Sequence, residues 1–327
     1  MTRWSGAGPV PPRLSRRTFG AALAALLARP VPSQASFAKG PLRMVVPFAP
    51  GGGTDIIARL LAAEMAPCLG QPVVVENRAG ASGQVGARAV QTAPADGHTI
   101  LLATSTFTAT AVLGEKPTYD PVADFAPLCL LANAPNVLVV GAERGPLDLA
   151  ALLARAADAP TGLNYATFGS LSTPHLAAVG FQKATGTRMT QVTYRGGGPA
   201  SLAVVTGEAD LLFSSLLPVL PLIHAGTLRA LAVASGERIR ALADVPTFRE
   251  AGVDFRSGTW FGLVTGRNVP PGAVRELSMS AIDAIRTPSL SERLLGEGTE
   301  IVASEAEIFD GFLKDDTARL AAMRGSL

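Results

Sequence analysis

Short apolar runs alternate along the chain with stretches in which apolar residues recur at every third or fourth position. Residues 42–48 have the continuous apolar character of a buried strand, and Ile56, Ile57, Leu60 and Leu61 follow at helical spacing. Further strands are predicted at residues 73–76, 99–104, 128–132, 137–140, 164–167, 191–194, 211–213 and 228–234. Helical patterns lie between them, at residues 85–92, 148–157, 174–185 and 199–205. This alternation predicts an α/β fold with largely parallel sheets.

Residues 1–38 differ from the rest of the chain. Arg16 and Arg17 precede an apolar run at residues 19–27, and the small residues Ala35 and Ala38 each suit a cleavage site. The apolar run has about half of the roughly 20 residues that span a bilayer. The pattern therefore favours a cleaved export signal over an N-terminal anchor helix, and it predicts a periplasmic protein.

Two export routes fit this signal. A twin-arginine signal usually carries a bulky apolar residue and a lysine just after the arginine pair, whereas this chain has Gly20 and Ala21 at those places. A general secretory leader that contains two arginines fits as well.

Removal of the signal changes the charge of the protein. The full chain has 28 basic and 26 acidic side chains, but residues 1–35 hold five arginines and no acid. The mature protein is therefore slightly acidic, which removes most of the support for nucleic acid as a partner. Its length of about 290 residues exceeds the usual size of a single core, so two lobes are expected.

Cysteine and histidine are too sparse and too scattered to form a recognisable metal or redox motif. Cys68 and Cys129 are 61 positions apart, and they fit either a disulfide or two buried free thiols. His98, His175 and His224 show no paired ligand spacing. The sequence predicts no metal site and no cofactor.

Four turns rich in glycine or hydroxyl residues open predicted helices. They lie at residues 49–55, 77–83, 169–174 and 196–199. Glycine lets a backbone approach a ligand closely, and the free N–H groups of a helix N-terminus form an anion site. In the third turn, Thr173 is predicted as the N-cap and Pro174 as the first helical residue. Because ligands of open α/β sheets bind beyond the carboxyl ends of strands, these turns predict one shared site.

Glycine-rich turns also bind nucleotides or present catalytic nucleophiles, but the sequence motifs of those functions are absent here. Residues 51–55 are followed by no Gly-Lys-Ser/Thr and contain no GxGxxG, so neither a P-loop nor a dinucleotide fingerprint is present. Residues 80–84 fail the GxSxG nucleophile elbow because Gln84 stands where glycine is required. With no nucleophile, paired acid or metal constellation in view, the sequence indicates no enzyme.

Five motifs carry a family resemblance. MVVPFAPGGGTD at 44–55, VENRAGA at 75–81, TYRGGGPA at 193–200, LRALAV at 228–233 and DVPT at 244–247 resemble the tripartite tricarboxylate transporter receptors, also called the Bug family. The motifs run in family order from about residue 40 to the C-terminus. The resemblance implies a type II periplasmic-binding-protein fold, with two α/β lobes and a ligand cleft and hinge between them. Lobe 1 would combine residues 40–135 and 258–327, and lobe 2 would span 136–257.

The resemblance also implies which residues face the ligand. Carried over position by position, the substrate-binding residues are Phe48, Gly52, Gly53, Thr54, Asp55, Thr104, Ser105, Gly169, Ser172, Thr173, Tyr194, Gly196, Gly197 and Ser214. Backbone N–H groups and hydroxyls of this kind bind a carboxylate without a buried lysine or arginine.

Two of these residues raise questions of charge. Asp55 would repel an anion unless it caps its own helix, contacts a ligand ammonium group or is separated from the ligand by water. Ser214 and Ser215 stand where the family usually has an acid and often an amide. We therefore expect a ligand without a positively charged amine, namely a plain mono- or dicarboxylate.

The implied function is that of a solute-binding receptor that delivers a small organic acid to the permease subunits of a tripartite membrane transporter. A ligand sensor of the same fold, which signals to a membrane sensor kinase, fits the sequence equally. A monomer is expected in either case. Trp260 lies where the chain should return to lobe 1, and it is expected to pack in the core or, second, to line the cleft.

Overall fold

A computed structural model describes residues 1–2, 40–159 and 162–323. The fold reported below is that of the compact unit Phe37–Leu327. The predicted export signal, with its cleavage positions, lies outside the described residues apart from its first two. No helix in the described ranges has the length and apolarity needed to span a membrane.

Strands and helices alternate through the described chain as the apolar pattern predicts. The strands are β1 (Leu42–Val46), β2 (Val73–Asn77), β3 (Thr99–Thr104), β4 (Phe125–Gly141), β5 (Leu163–Thr167), β6 (Met189–Thr193), β7 (Leu211–Ser215), β8 (Leu228–Val233), β9 (Gly258–Gly266) and β10 (Glu300–Ile301). The helices are α1 (Gly53–Leu69), α2 (Gln84–Gln91), α3 (Ser105–Leu113), α4 (Leu149–Asp158), α5 (Thr173–Thr185), α6 (Gly197–Thr206), α7 (Leu216–His224), α8 (Pro271–Ile285), α9 (Pro288–Gly296) and α10 (Ala306–Met323). Short 3₁₀ turns lie at Ala81–Gly83 and Arg240–Leu242. The α/β fold is confirmed.

Strand β4 connects two groups of strands. The predicted strands at 128–132 and 137–140 are parts of this single strand of 17 residues. Its pairing with β9 ends at Pro135, opposite Gly258, and its pairing with β7 begins at Asn136, opposite Ser215. Proline and polar residues interrupt the apolar pattern where the pairing changes partner, which is why one strand resembles two in the sequence.

The prediction of largely parallel sheets is correct only for the outer strands. Strand β1 pairs with β2 and β3 in parallel, and β5 pairs with β6 and β7 in parallel. The ladders that involve β4 or β9 are all antiparallel. Strands β4 and β9 lie in the middle of the sheet and run antiparallel to the strands beside them.

Apolar side chains cover both faces of each group of strands. Strands β1, β3 and the first part of β4 pack against α1 and α8 on one face, and Trp260 lies on the other. Trp260 is buried beside Phe309, with 5.7 Å between ring centroids, so it packs in the core as predicted. Residues of β5, β7 and α5 form a further core that contains Phe181 and Phe213.

The two cysteines are free thiols. Cys129 is buried in β4, and burial raises its pKa to about 12, so it stays protonated. Cys68 is exposed near the end of α1, which corrects the expectation that both free thiols would be buried. In the described part of the chain, no group of three metal-ligating side chains comes together.

Candidate ligand-binding site

Five helices begin at the carboxyl ends of strands around one pocket. The N-cap residues of α1, α3, α5, α6 and α7 are Gly52, Thr104, Ser172, Gly196 and Ser215. Only the Thr104 side chain accepts a capping hydrogen bond from its own helix, from the N–H of Thr106. The first N–H groups of the other four helices have no side-chain cap, and these groups carry the partial positive charge of the helix dipole.

The pocket between these helix ends contains about 490 Å³ of empty space, including the part open to solvent. Uncharged side chains and glycine backbone make up its lining. The lining residues are Phe48, Gly52, Gly53, Thr54, Thr104, Asn136, Phe168, Thr173, Pro174, Gly197, Phe213, Ser214, Ser215, Thr259 and Phe261. A negative charge placed here would meet helix dipoles and hydroxyls and, within the described part of the chain, no ionisable side chain.

The structure brings eight of the fourteen predicted site residues to this lining. They are Phe48, Gly52, Gly53, Thr54, Thr104, Thr173, Gly197 and Ser214. The other six lie beside the lining or behind it. Ser105 turns toward strand β9, where its Oγ accepts from the Trp260 N–H at 3.0 Å, and Tyr194 packs against the core around β7. Gly169, Ser172 and Gly196 belong to turns that border the pocket.

Seven lining residues are not among the fourteen substrate-binding residues that the sequence predicts. They are Asn136, Phe168, Pro174, Phe213, Ser215, Thr259 and Phe261. Thr259 and Phe261 flank the buried Trp260 in strand β9, so the two-residue period of a strand could have placed them together on the opposite face. Asn136 has no comparable signal, because the change of sheet partner at that residue is visible only in the fold.

The N-cap of α5 is Ser172 rather than the predicted Thr173. The first main-chain hydrogen bond of the helix runs from the N–H of Leu176 to the carbonyl of Ser172, at 2.9 Å. Thr173 and Pro174 are therefore the first two helical residues. Thr173 uses its hydroxyl to donate to Thr259 Oγ1, at 3.3 Å, which joins α5 to β9 across the pocket wall.

Asp55 does not line the pocket, and its carboxylate is fully engaged behind it. Oδ2 accepts from the N–H of Gly51 at 3.0 Å and from Arg59 Nε at 3.0 Å. Oδ1 accepts from Arg59 Nη2 and from Asn77 Nδ2, both at 2.9 Å. The residue is the third of α1 and its side chain reaches back to the turn before the helix, which resembles a capping box.

This network lowers the pKa of the Asp55 carboxyl group. Burial alone would raise the pKa, but hydrogen bonds from Arg59, Gly51 and Asn77 outweigh burial. Asn77 also donates to the carbonyl of Phe48 at 3.0 Å, so the same group of side chains holds the turn that lines the pocket. Arg59 compensates the negative charge of Asp55, which answers the question raised by an acid in this motif.

Two glycine turns from different parts of the chain meet at one side of the pocket. The N–H of Ala49 donates to the carbonyl of Arg195 at 3.3 Å. A Cβ atom on Gly52 would lie 3.2 Å from the Gly197 nitrogen, and one on Gly198 would lie 2.9 Å from the Pro50 oxygen. The separation at Gly198 leaves no room for a Cβ without a shift of the backbone, and the one at Gly52 is tighter than an ordinary Cβ contact, so glycine favours the close approach of the two turns.

A second contact joins two other turns at the pocket. The rings of Phe48 and Phe168 meet edge to face, with 4.8 Å between their centroids. A Cβ on Gly169 would lie 2.3 Å from Ser82 Oγ, so the two turns also touch there. Ser82 and Leu171 hold positive φ angles of 51° and 65° in these turns, a conformation that costs energy for residues other than glycine.

A pocket at the carboxyl ends of strands, surrounded by helix N-termini, is the arrangement of a periplasmic binding protein. The structure of the periplasmic binding protein BugD matches with a TM-score of 0.83 and 31% identity, over 88% of this chain and 97% of that one. MatC from Rhodopseudomonas palustris with bound malate matches with a TM-score of 0.81 and 31% identity, over 87% of this chain and 98% of that one. R. palustris Rpa4515 with adipate matches with a TM-score of 0.82 and 32% identity, over 87% of this chain and 97% of that one.

The family model of the tripartite tricarboxylate transporter family receptor matches residues 57–325. The chain therefore belongs to this family, as the five sequence motifs indicate.

The Asp55 network yields a prediction about acid stability. Because the folded-state pKa of Asp55 is lowered, its contribution to the free energy of unfolding is present above the unfolded pKa of about 3.9. It is lost as the pH falls through the lower folded pKa. We expect Asp55→Asn to destabilise the protein by about 1–3 kcal/mol at pH 7, and this difference to shrink progressively as the pH is lowered below about 3.9, as measured by urea denaturation.

Asp254→Asn is the matched control, because Asp254 is exposed and its substitution should change stability by less than about 0.5 kcal/mol. A destabilisation by Asp55→Asn that persists unchanged down to about pH 2.5 would show that the charge of Asp55 is not what holds the turn.

Proposed function

We propose that this protein is an extracytoplasmic receptor that captures a small organic carboxylate for the permease of a tripartite tricarboxylate-type transporter. The observation that carries the proposal is the convergence of five helix N-termini on a pocket whose described lining residues include no ionisable side chain. Membership of the receptor family supports the same role. The protein acts in the periplasm, after cleavage of the export signal near Ala35 or Ala38, and it acts as a monomer.

The lining chemistry suits a carboxylate better than other small solutes. A carboxylate accepts several hydrogen bonds at once, and the free N–H groups of helix first turns donate in a converging arrangement. A cationic ligand would find no carboxylate among the lining residues and would meet the positive ends of the helices. Two relatives are known with the dicarboxylates malate and adipate, which supports a ligand of that class.

The hydroxyl groups at the pocket also bear on specificity. Ser214 and Ser215 occupy the end of β7, and both line the pocket. An acid at this position would pair with a ligand amine, and a serine cannot. We therefore assign mono- or dicarboxylates without an amine, rather than amino acids, as the ligands.

We also propose that the two groups of strands are the lobes of a closing cleft, with lobe 1 at residues 40–135 and 258–327 and lobe 2 at 136–257. The partner change of β4 at Asn136 and the start of β9 at Gly258 support these crossing points. The contact between the two glycine turns joins residue 52 of lobe 1 to residue 197 of lobe 2. A ligand that touches both turns would favour the closed form, which a permease could recognise.

The first prediction from the proposed function tests ligand capture itself. Protein stripped of ligand by unfolding and refolding is heated with mono-, di- and tricarboxylates, aromatic acids and amino acids. A ligand at 100 times its dissociation constant should stabilise the folded state by about 2.7 kcal/mol, which raises the melting temperature by a few degrees. We expect hits among mono- or dicarboxylates and none among their uncharged amides. Equal shifts by acid and amide would contradict carboxylate capture.

The second prediction concerns the charge at residue 214. Ser214→Asp places a carboxylate on the pocket lining, and repulsion should weaken binding of the best carboxylate at least about 10-fold in calorimetric titration. Ser214→Asn is the control, because it has nearly the same size as aspartate without its charge, and it should weaken binding much less. Equal affinity of the Asp variant and the unsubstituted protein would remove Ser214 from the site.

The third prediction concerns closure. Gly198→Ala would set a methyl group 2.9 Å from the Pro50 oxygen and hold the two turns apart. We expect affinity to fall about 10-fold or more and the ligand-induced decrease in radius of gyration, measured by X-ray scattering, to be lost. Gly272→Ala is the control, because a Cβ there meets nothing within 4 Å. A Gly198→Ala protein with a lowered melting temperature but full affinity would show that the contact belongs to the permanent fold and not to closure.

A further inference from the structure

Asn136 occupies a special position in the pocket wall. It is only 1% exposed, and it lines the pocket at the residue where β4 changes partner from β9 to β7. Its backbone is held on both sides, since its N–H donates to the Ser257 carbonyl at 2.9 Å and its carbonyl accepts from Ala234 at 2.7 Å. The side chain therefore projects from a backbone that is fixed by hydrogen bonds.

One end of the Asn136 amide has no partner among the residues that the structure describes. Nδ2 donates to Ser257 Oγ at 2.7 Å, whereas Oδ1 is buried and makes no hydrogen bond. Buried polar atoms are nearly always paired, and an unpaired one beside a ligand pocket is available for a hydrogen bond to a ligand. In this orientation the free end is an acceptor, so it does not match a carboxylate, which is also an acceptor.

The hydrogen-bond donors of the pocket and its unpaired acceptor lie on different elements. The donors are the first-turn N–H groups, including those of α7, which begins just after Ser215. Asn136 lies directly opposite Ser215 in the ladder between β4 and β7. The unpaired acceptor is thus next to the surface that suits a carboxylate, and it needs a neighbouring donor on the same ligand.

We infer that Asn136 selects a hydroxylated carboxylic acid, whose hydroxyl group hydrogen-bonds to the free end of the amide. This inference rests on the proposed function, because the helix N-termini must first hold the carboxylate. A hydroxyl is the group that fits best, since it donates to Oδ1 as placed and would accept from Nδ2 if the amide turned over and Oδ1 accepted from Ser257. An amine would also donate, but it brings a positive charge to the ends of the helices.

Matched ligand pairs test the inference. Pairs of mono- and dicarboxylates that differ by one hydroxyl, such as propionate with lactate and succinate with malate, are titrated calorimetrically into ligand-free protein. We expect the hydroxylated member of the best-bound pair to bind at least about 10-fold more tightly. Asn136→Leu, of similar size and without polar atoms, should bring that ratio close to one.

Asn133→Leu is the matched control, because Asn133 lies in the same strand outside the pocket lining and its substitution should leave the ratio unchanged. If Asn136→Leu does not fold, Asn136→Ala and the ratio in the unsubstituted protein answer the same question. A ratio close to one in the unsubstituted protein, or an unchanged ratio in the Asn136 variant, overturns the selection of a hydroxyl while carboxylate capture stands. Absence of binding by every acid overturns both.

Discussion

Unsatisfied backbone N–H groups at the first turns of several helices are the feature on which the rest of this structure depends. An isolated helix N-terminus binds an anion weakly in water, where salt and solvent screen its partial charge. Five such ends around one pocket add their fields, and the walls of phenylalanine and threonine limit access of water. The pocket can then attract an anion without lysine or arginine, and no strong counter-charge has to be separated when the ligand leaves.

This arrangement limits which side chains can stand near the helix ends. Glycine is required at residue 198 and favoured at residue 52, because a Cβ at either position would crowd backbone atoms of the facing turn. An acid is tolerated in the first turn of α1 only because Asp55 faces away from the pocket and is neutralised by Arg59. The same carboxylate binds the Gly51 N–H and, through Asn77, fixes the turn that presents Phe48. A charge that would oppose the ligand thus supports the shape of its site.

Much of this site follows from local sequence signals. Glycine and hydroxyl residues at the ends of apolar runs predict helix N-termini at the strand ends, and the turns at residues 52–54 and 197 are indeed on the lining. The pocket residues that come from the long central strands β4 and β9 do not follow from local sequence signals. Asn136 and Thr259 reach the pocket because β4 changes partner and β9 returns antiparallel, and the residues of these strands do not show which strands they pair with. The position of Ser172 as N-cap depends on which carbonyl starts the helix, which adjacent serine and threonine leave undecided.

A crystal structure of the protein with its tightest-binding carboxylate tests the central claim most directly. The account predicts that the carboxylate oxygens lie within hydrogen-bond distance of first-turn N–H groups, directly or through one water, and that no arginine or lysine contacts them. A carboxylate paired with a basic side chain, or bound outside the pocket at the strand ends, would contradict it.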